Sequence, residues 1–155
     1  TMSRPYSFII HSLSAITTAP FAQLATPATT SIEIIRIELG QETNETSQQE
    51  VLQLVRRSTN STFPTVAERP SLAEGGPATL LAGTSITNTF GVATGTGSFT
   101  ASLMKFTFNA LNGLLYLPVP EERIRMSPSK FLTLEFPTAP AANTWSGHIT
   151  YRELT

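Results

Sequence analysis

The sequence of 155 residues contains no cysteine and no aspartate, because all eleven acidic residues are glutamate. Without cysteine the chain has no disulfide framework, no thiolate zinc site and no thiol nucleophile. Without aspartate it has no EF-hand loop and no aspartate to orient a catalytic histidine. These absences point away from catalysis, and we predict that the protein is not an enzyme and that it binds no metal or other cofactor.

Charge is also scarce, since only 14% of the residues are charged and the net charge is -1. This balance predicts neither nucleic acid nor an anionic membrane as the main partner. No stretch reaches the roughly 18 consecutive apolar residues that a membrane helix requires. The apolar residues that follow Arg4 are interrupted by Pro5 and His11, so we do not expect a signal peptide there.

Threonine, serine, proline and glycine are abundant, with 24, 15, 11 and 9 residues respectively. Residues 31–39 contain the clearest strand, in which isoleucines alternate with Glu33, Arg36 and Glu38. The alternation changes phase between Ile34 and Ile35, which indicates either a β-bulge or an isoleucine buried on the second face of the sheet.

Further short strands follow along the chain. Residues 51–57 fit either a strand or the end of a short helix, and we favour the strand because nothing caps a longer helix. Asn112-Gly113 predicts a type I′ hairpin turn before a strand at residues 114–117. Residues 59–79 are rich in proline and glycine, which predicts a long ordered excursion of the chain across the surface.

The remaining predicted strands are residues 80–87, 98–108, 124–126, 131–136 and 145–153. Together these patterns predict an all-β protein, an antiparallel β-sandwich of jelly-roll type.

Residues 1–31 differ from the rest because Arg4 is their only charged residue. We predict that they form an extended N-terminal arm and that residues 32–155 form the sandwich domain. Burial of large apolar side chains alone does not offset the entropy cost of ordering such an arm, so a partner is needed. The predicted anchors of the arm on a neighbouring subunit or scaffold are Phe8, Ile10, Leu13, Ile16 and Phe21.

The polar residues indicate contacts with other proteins rather than catalysis. His11 and His148 are the only histidines, and little else converges on them. Two pairs of arginines, Arg56 with Arg57 and Arg123 with Arg125, are predicted to bind a partner. Arginine suits bidentate pairing with carboxylates across protein interfaces.

Several short runs resemble a family of small structural proteins of tailed bacteriophages. The resemblance covers residues 32–155 and is carried by four runs, namely Ile37-Glu38-Leu39-Gly40-Gln41, Val55-Arg56-Arg57-Ser58, Pro120-Glu121-Glu122-Arg123 before Ser127-Pro128-Ser129, and Tyr151-Arg152-Glu153. It implies a jelly-roll or β-sandwich head protein, that is, a cement or decoration protein on the outside of the capsid. The implied partners are the major capsid protein and further copies of the chain, commonly as a trimer.

The expected function is therefore that of a non-enzymatic capsid cement protein, assembled in the host cytoplasm and located on the exterior of the virion. The alternative is a jelly-roll binding module, similar to a fibre or lectin head, that recognises carbohydrate or a host receptor. Such a module would need exposed aromatic residues over a groove, for which Trp145, Tyr6, Tyr116 and Tyr151 are the candidates.

Overall fold

The computed structural model describes residues 5–15, 17–42, 47–63, 65–66, 88–91, 93–140 and 143–154. The predicted strand at residues 80–87, most of the predicted excursion at 59–79 and the anchor Ile16 lie outside these residues. The described residues contain no α-helix and one short 3-10 helix, Pro120–Glu122. Their strands are β1 (Pro5–Ala15), β2 (Ala22–Ala25), β3 (Ser31–Gln41), β4 (Gln49–Arg57), β5 (Thr65–Val66), β6 (Asn88–Phe90), β7 (Phe99–Asn109), β8 (Leu114–Tyr116), β9 (Arg125–Met126), β10 (Phe131–Glu135) and β11 (Asn143–Leu154).

The strands form two sheets that pack face to face around one apolar core. Sheet A has the order β1-β11-β3-β8, with β9 also paired to β3, and sheet B has the order β5-β6-β2-β10-β4-β7. Every pairing in both sheets is antiparallel. Phe8 and Trp145 of sheet A share the core with Leu54 and Leu134 of sheet B. The all-β antiparallel sandwich predicted from the sequence is confirmed.

The eight main strands pair as one long antiparallel ribbon that is rolled into the sandwich. β1 pairs with β11 and β3 with β8 in sheet A, whereas β2 pairs with β10 and β4 with β7 in sheet B. Strand pairs taken in chain order therefore alternate between the two sheets. The short strands β5 and β6 extend sheet B beyond β2, and β9 lies beside β8 along the same edge of β3.

The strand β3 follows the apolar pattern of its sequence. Ile32, Ile34, Ile37 and Leu39 are buried in the core, and the register with β11 shifts so that Ile35 has no partner. The phase change in the sequence is thus a β-bulge, the first of the two predicted possibilities. Residues 51–57 lie in the strand β4, which confirms the strand interpretation of that segment.

The N-terminal residues belong to the sandwich, so the predicted boundary at residue 31 is wrong. β1 pairs with β11 from Pro5 to Ala15, and β2 lies between β6 and β10 inside sheet B. The predicted anchors Phe8, Ile10, Leu13 and Phe21 are buried in the core of their own chain. The segment is extended, as predicted, but its backbone and side chains are satisfied by β11, β10 and the core rather than by a neighbouring subunit.

The hairpin predicted at Asn112-Gly113 is wrong, because β7 pairs with β4 in sheet B and β8 pairs with β3 in sheet A, so the turn between them connects the two sheets. The connecting loop has four residues, 110–113, and the amides of Asn112 and Gly113 both donate to the carbonyl of Asn109. Gly113 has a φ of 73°, whereas Asn112 is not among the residues with positive φ. Asn109 Oδ1 also accepts a hydrogen bond from the amide of Leu111, at 2.9 Å. This side-chain bond stabilises a wider loop than two residues would make.

The outer face of sheet B is covered by a polar layer made of residues 58–63 and 93–98. Gln23 Oε1 accepts from the Ser61 amide at 2.9 Å, and Ser61 Oγ accepts from the Gly97 amide at 2.8 Å. A Cβ atom on Gly97 would lie 2.0 Å from the Thr59 carbonyl oxygen, so the two segments can approach closely only because residue 97 is glycine. The layer buries Gln23, Arg57 and Thr133.

Candidate functional site

The four arginines predicted to bind a partner have two different environments. Arg57 is buried beneath the polar layer, where it donates to Thr133 Oγ1 at 3.1 Å and to the Gly97 carbonyl at 2.8 Å. Its Nη2 also lies 3.2 Å from each carboxylate oxygen of Glu135. Arg57 is therefore committed to its own chain, and the prediction that it binds a partner is wrong.

Two of the other predicted arginines, Arg123 and Arg125, come together around a buried carboxylate, that of Glu33. Arg125 Nε lies 3.4 Å from Glu33 Oε1, and Arg123 Nη1 lies 3.6 Å from Oε2. A further arginine, Arg152, donates from Nε to Oε2 at 2.5 Å. Arg56 contacts the same segment from sheet B, since its Nη2 donates to the Arg125 backbone carbonyl at 3.3 Å. We call Arg56, Arg123, Arg125 and Arg152 the arginine cluster.

Strand register explains how residues so far apart in the sequence meet. Because side chains alternate along β3, Glu33 points to the outer face of sheet A while Ile32 and Ile34 point to the core. Glu33 is the register partner of Arg152 on β11 and of Arg125 on β9. The Ile34 amide donates to the Ile124 carbonyl at 2.9 Å, which holds the segment carrying Arg123 and Arg125 against β3.

The electrostatics of the arginine cluster favour an ionised Glu33. Burial raises the pKa of the Glu33 carboxyl, but the hydrogen bonds and charges of Arg152, Arg125 and Arg123 outweigh it, so the pKa lies below its ordinary value. Among the described residues, Glu33 is the one carboxylate within ion-pair distance of these arginines. The cluster keeps a surplus of positive charge on a chain whose net charge is -1.

A second polar group lies further along the outer face of sheet A. Glu38 accepts a short hydrogen bond from Arg36 and lies 3.3 Å from His148 Nε2. Glu38 and His148 line a shallow depression together with Gly40, Leu115 and Gly147, and none of its described lining residues is phenylalanine, tyrosine or tryptophan. Trp145, Tyr6 and Tyr151 are buried in the core, so they cannot form an aromatic platform for a sugar.

Next to the depression, apolar side chains point into solvent along one edge of sheet A. Leu115 of β8 is 56% exposed, and the chain beyond it exposes Leu117 by 62% and Val119 by 55%. In an extended segment these alternating residues face the same side. We call Leu115, Leu117 and Val119 the apolar strip. β8 is the last strand of sheet A, so one side of its backbone is also unpaired within the described part of the sheet.

The apolar strip and the arginine cluster belong to one continuous edge segment, residues 115–125. Leu115 is the register partner of Glu38, and Arg125 is the register partner of Glu33 on the same strand. The exposed residues Glu121 and Glu122 lie between the two surfaces in sequence. The sequence indicated Arg123 and Arg125, but Glu33 and Arg152 became recognisable only from the pairing of β3 with β9 and β11.

The described residues contain no group of three histidine or acidic side chains able to hold a metal ion. In the same residues, no helix has the length and apolarity needed to span a membrane. Comparison of the chain with protein-family models, with curated proteins and with solved structures finds no match.

Proposed function

We propose that the chain is a non-enzymatic structural protein of a phage virion, bound to the outside of the head. There it associates with further copies of itself and contacts the major capsid protein. The observation that carries this proposal is the apolar strip at the edge of sheet A. Contiguous exposed apolar side chains on a soluble β-domain mark a surface that another protein covers.

The apolar strip suits contact between identical copies. Residues 114–120 carry no charge, so two copies can meet there without opposing like charges. The arginine cluster does not suit such a contact, because two copies of it would repel one another. We therefore assign the apolar strip to self-association and the arginine cluster to a different partner. The apolar strip takes the role in subunit contacts that the sequence predicted for the N-terminal anchors.

The rolled-ribbon strand order supports the same proposal. The pairs β1–β11, β2–β10, β3–β8 and β4–β7 alternate between the sheets in the arrangement expected of a jelly roll. Jelly rolls are widespread in viral capsid proteins and in lectins. This support is an analogy at the level of the fold, and it joins the resemblance of residues 32–155 to phage head proteins.

Sedimentation of the purified chain tests self-association through the apolar strip. We expect the wild type to sediment as an oligomer and Leu117→Glu to sediment as a folded monomer, because a carboxylate cannot be buried there without a partner. The matched control is Thr29→Glu, which adds the same charge to an exposed loop between β2 and β3. A monomeric wild type, or equal dissociation of both variants, would remove the strip from the proposal.

Localisation on particles tests the virion assignment separately. An antibody raised against the recombinant chain is applied to phage particles purified from a culture of the producing host. Electron microscopy with gold-labelled antibody should show label on the outside of the heads. Particles that lack the chain, by label and by mass spectrometry, would contradict the assignment even if the chain self-associates.

A further inference from the structure

We propose that the arginine cluster is a binding site for carboxylates of an acidic protein segment. This inference goes beyond the virion assignment and does not depend on it. Three of the four arginines are fixed around Glu33, whose carboxylate is fully buried. An internal carboxylate thus already holds the guanidinium groups in place, and a second carboxylate from outside would meet a preorganised site.

The cluster retains donors for such a ligand. The side chain of Arg125 is 67% exposed and that of Arg152 is 36% exposed, so both reach solvent while they contact Glu33. Arg123 Nε is buried and has no hydrogen-bond partner among the described residues. Each guanidinium has five N–H donors, and the contacts to Glu33 and to the Arg125 carbonyl use only a few of them.

Charge also favours an anionic partner. Arg123, Arg125 and Arg152 share one carboxylate within ion-pair distance, so the group carries excess positive charge whereas the whole chain is slightly negative. Arginine pairs with carboxylates in a bidentate geometry and is enriched at protein interfaces. A local excess of positive charge attracts an acidic surface and orients it during the encounter.

The form of the cluster favours a protein carboxylate over a nucleic acid. Backbone phosphates are usually followed by an extended basic groove with aromatic side chains on which bases stack. Here the arginines converge on a single carboxylate, and the nearest strand positions on the outer face, Arg36 and Glu38, are occupied by their own ion pair. The aromatic residues Tyr6 and Tyr151 at this end of sheet A are buried.

Calorimetric titration of the full chain tests the site with four probes, namely a short polyglutamate peptide, a polyglutamine peptide of equal length, inorganic phosphate and single-stranded oligothymidylate. We expect polyglutamate to bind and polyglutamine not to bind. Arg125→Gln should weaken the polyglutamate affinity about tenfold, since charge-assisted hydrogen bonds are lost. Arg125→Lys should recover only part of it, because lysine keeps the charge without the bidentate fork.

The matched control is Lys105→Gln, which removes one positive charge from an exposed residue of sheet B. If Lys105→Gln weakens binding as much as Arg125→Gln, the effect is one of net charge and the site is refuted. Equal binding of polyglutamine, or binding of phosphate or oligothymidylate as tight as that of polyglutamate, would also overturn the assignment. Thermal unfolding of each variant verifies that it is folded, which is expected because Arg125 and Lys105 are exposed.

Discussion

Glu33 and Arg152 are direct register partners on β3 and β11, and Arg152 Nε donates to Glu33 Oε2 at 2.5 Å. The pair couples a buried carboxylate to a side chain that reaches solvent. Because the sequence separation is 119 residues, this contact also reports whether the two strands are correctly paired.

Replacement of the buried carboxylate should destabilise the fold. We expect Glu33→Gln to lower the free energy of unfolding by about 3 kcal/mol, because partly buried arginines lose their counter-charge. The control is Glu38→Gln, whose partly exposed pair with Arg36 should change stability by about 0.5 kcal/mol. Urea denaturation measures both, and equal losses would show that burial of Glu33 is not the cause.

The stability of the chain should fall in acid partly through Glu33. The pKa of Glu33 is lower in the folded state than its ordinary value of about 4.5, so the folded state binds fewer protons there. The stabilisation that ionised Glu33 gives to the fold is fully present above the ordinary pKa of about 4.5, and it is lost as the pH falls through the pKa of the folded state. Denaturation measured from neutral to acid pH should therefore show that the free energy of unfolding falls less for Glu33→Gln than for the wild type. If the free energies of unfolding of the two proteins change in parallel with pH, Glu33 does not have this role.

Arg57 and Arg56 are neighbours in sequence, but their substitution should have different consequences. Arg57→Ala removes a buried guanidinium bonded to Thr133, Gly97 and Glu135, and should cost about 3 kcal/mol. Arg56→Ala removes one long hydrogen bond at the surface and should cost about 0.5 kcal/mol. Chemical denaturation of the two variants under one buffer distinguishes them, and a reversed order would contradict the assigned environments.

Two glycines on adjacent strands of sheet A provide a matched pair. A Cβ atom on Gly147 would lie 2.0 Å from the Glu38 carbonyl oxygen, whereas one on Gly40 would meet no atom within 4 Å. We expect Gly147→Ala to destabilise the chain by about 1–3 kcal/mol through a forced backbone shift. Gly40→Ala should be neutral or stabilising by about 0.5 kcal/mol, since it restricts the unfolded chain. Thermal unfolding of both variants tests this contrast.

Removal of the N-terminal strands should abolish folding. A chain lacking residues 1–24 loses β1 and most of β2, together with the buried side chains of Phe8 and Phe21. We expect it to show no cooperative unfolding transition by circular dichroism. The milder variant Phe8→Ala should remain folded but lose about 3–5 kcal/mol. A truncated chain with a cooperative transition would restore the boundary predicted from the sequence at residue 31.

Local sequence patterns were sufficient for the sandwich and for most of its strands. The alternation of isoleucine with charged residues in β3 follows from one buried face, and even the bulge at Ile35 was visible as a change of phase. The fate of residues 5–25 was not predictable in this way. Their apolar side chains show that they need a partner, but only the pairing of β1 with β11 and β2 with β10 identifies that partner as the same chain.

The candidate site has the same division between local and non-local information. Arg123 and Arg125 stand out because charge is rare in this sequence. Glu33 looks like any polar residue on the outer face of a strand, and Arg152 lies in another strand altogether. Their meeting depends on strand order, which a single sequence does not specify. Arg57 is the opposite case. Its sequence position suggested a binding residue, but the polar layer of residues 58–63 and 93–98 buries it.

The pairing of β1 with β11 has a consequence for synthesis on the ribosome. β1 is translated before every other strand of the sandwich, and its pairing partner is translated after all of them. Until then Tyr6, Phe8, Ile10 and Leu13 have no sheet to hold them against the core, and unpaired apolar strands are prone to aggregate. Sheet A can therefore be completed only after β11 has emerged from the ribosome, and we expect the yield of the chain to depend on chaperones that shield β1 until then.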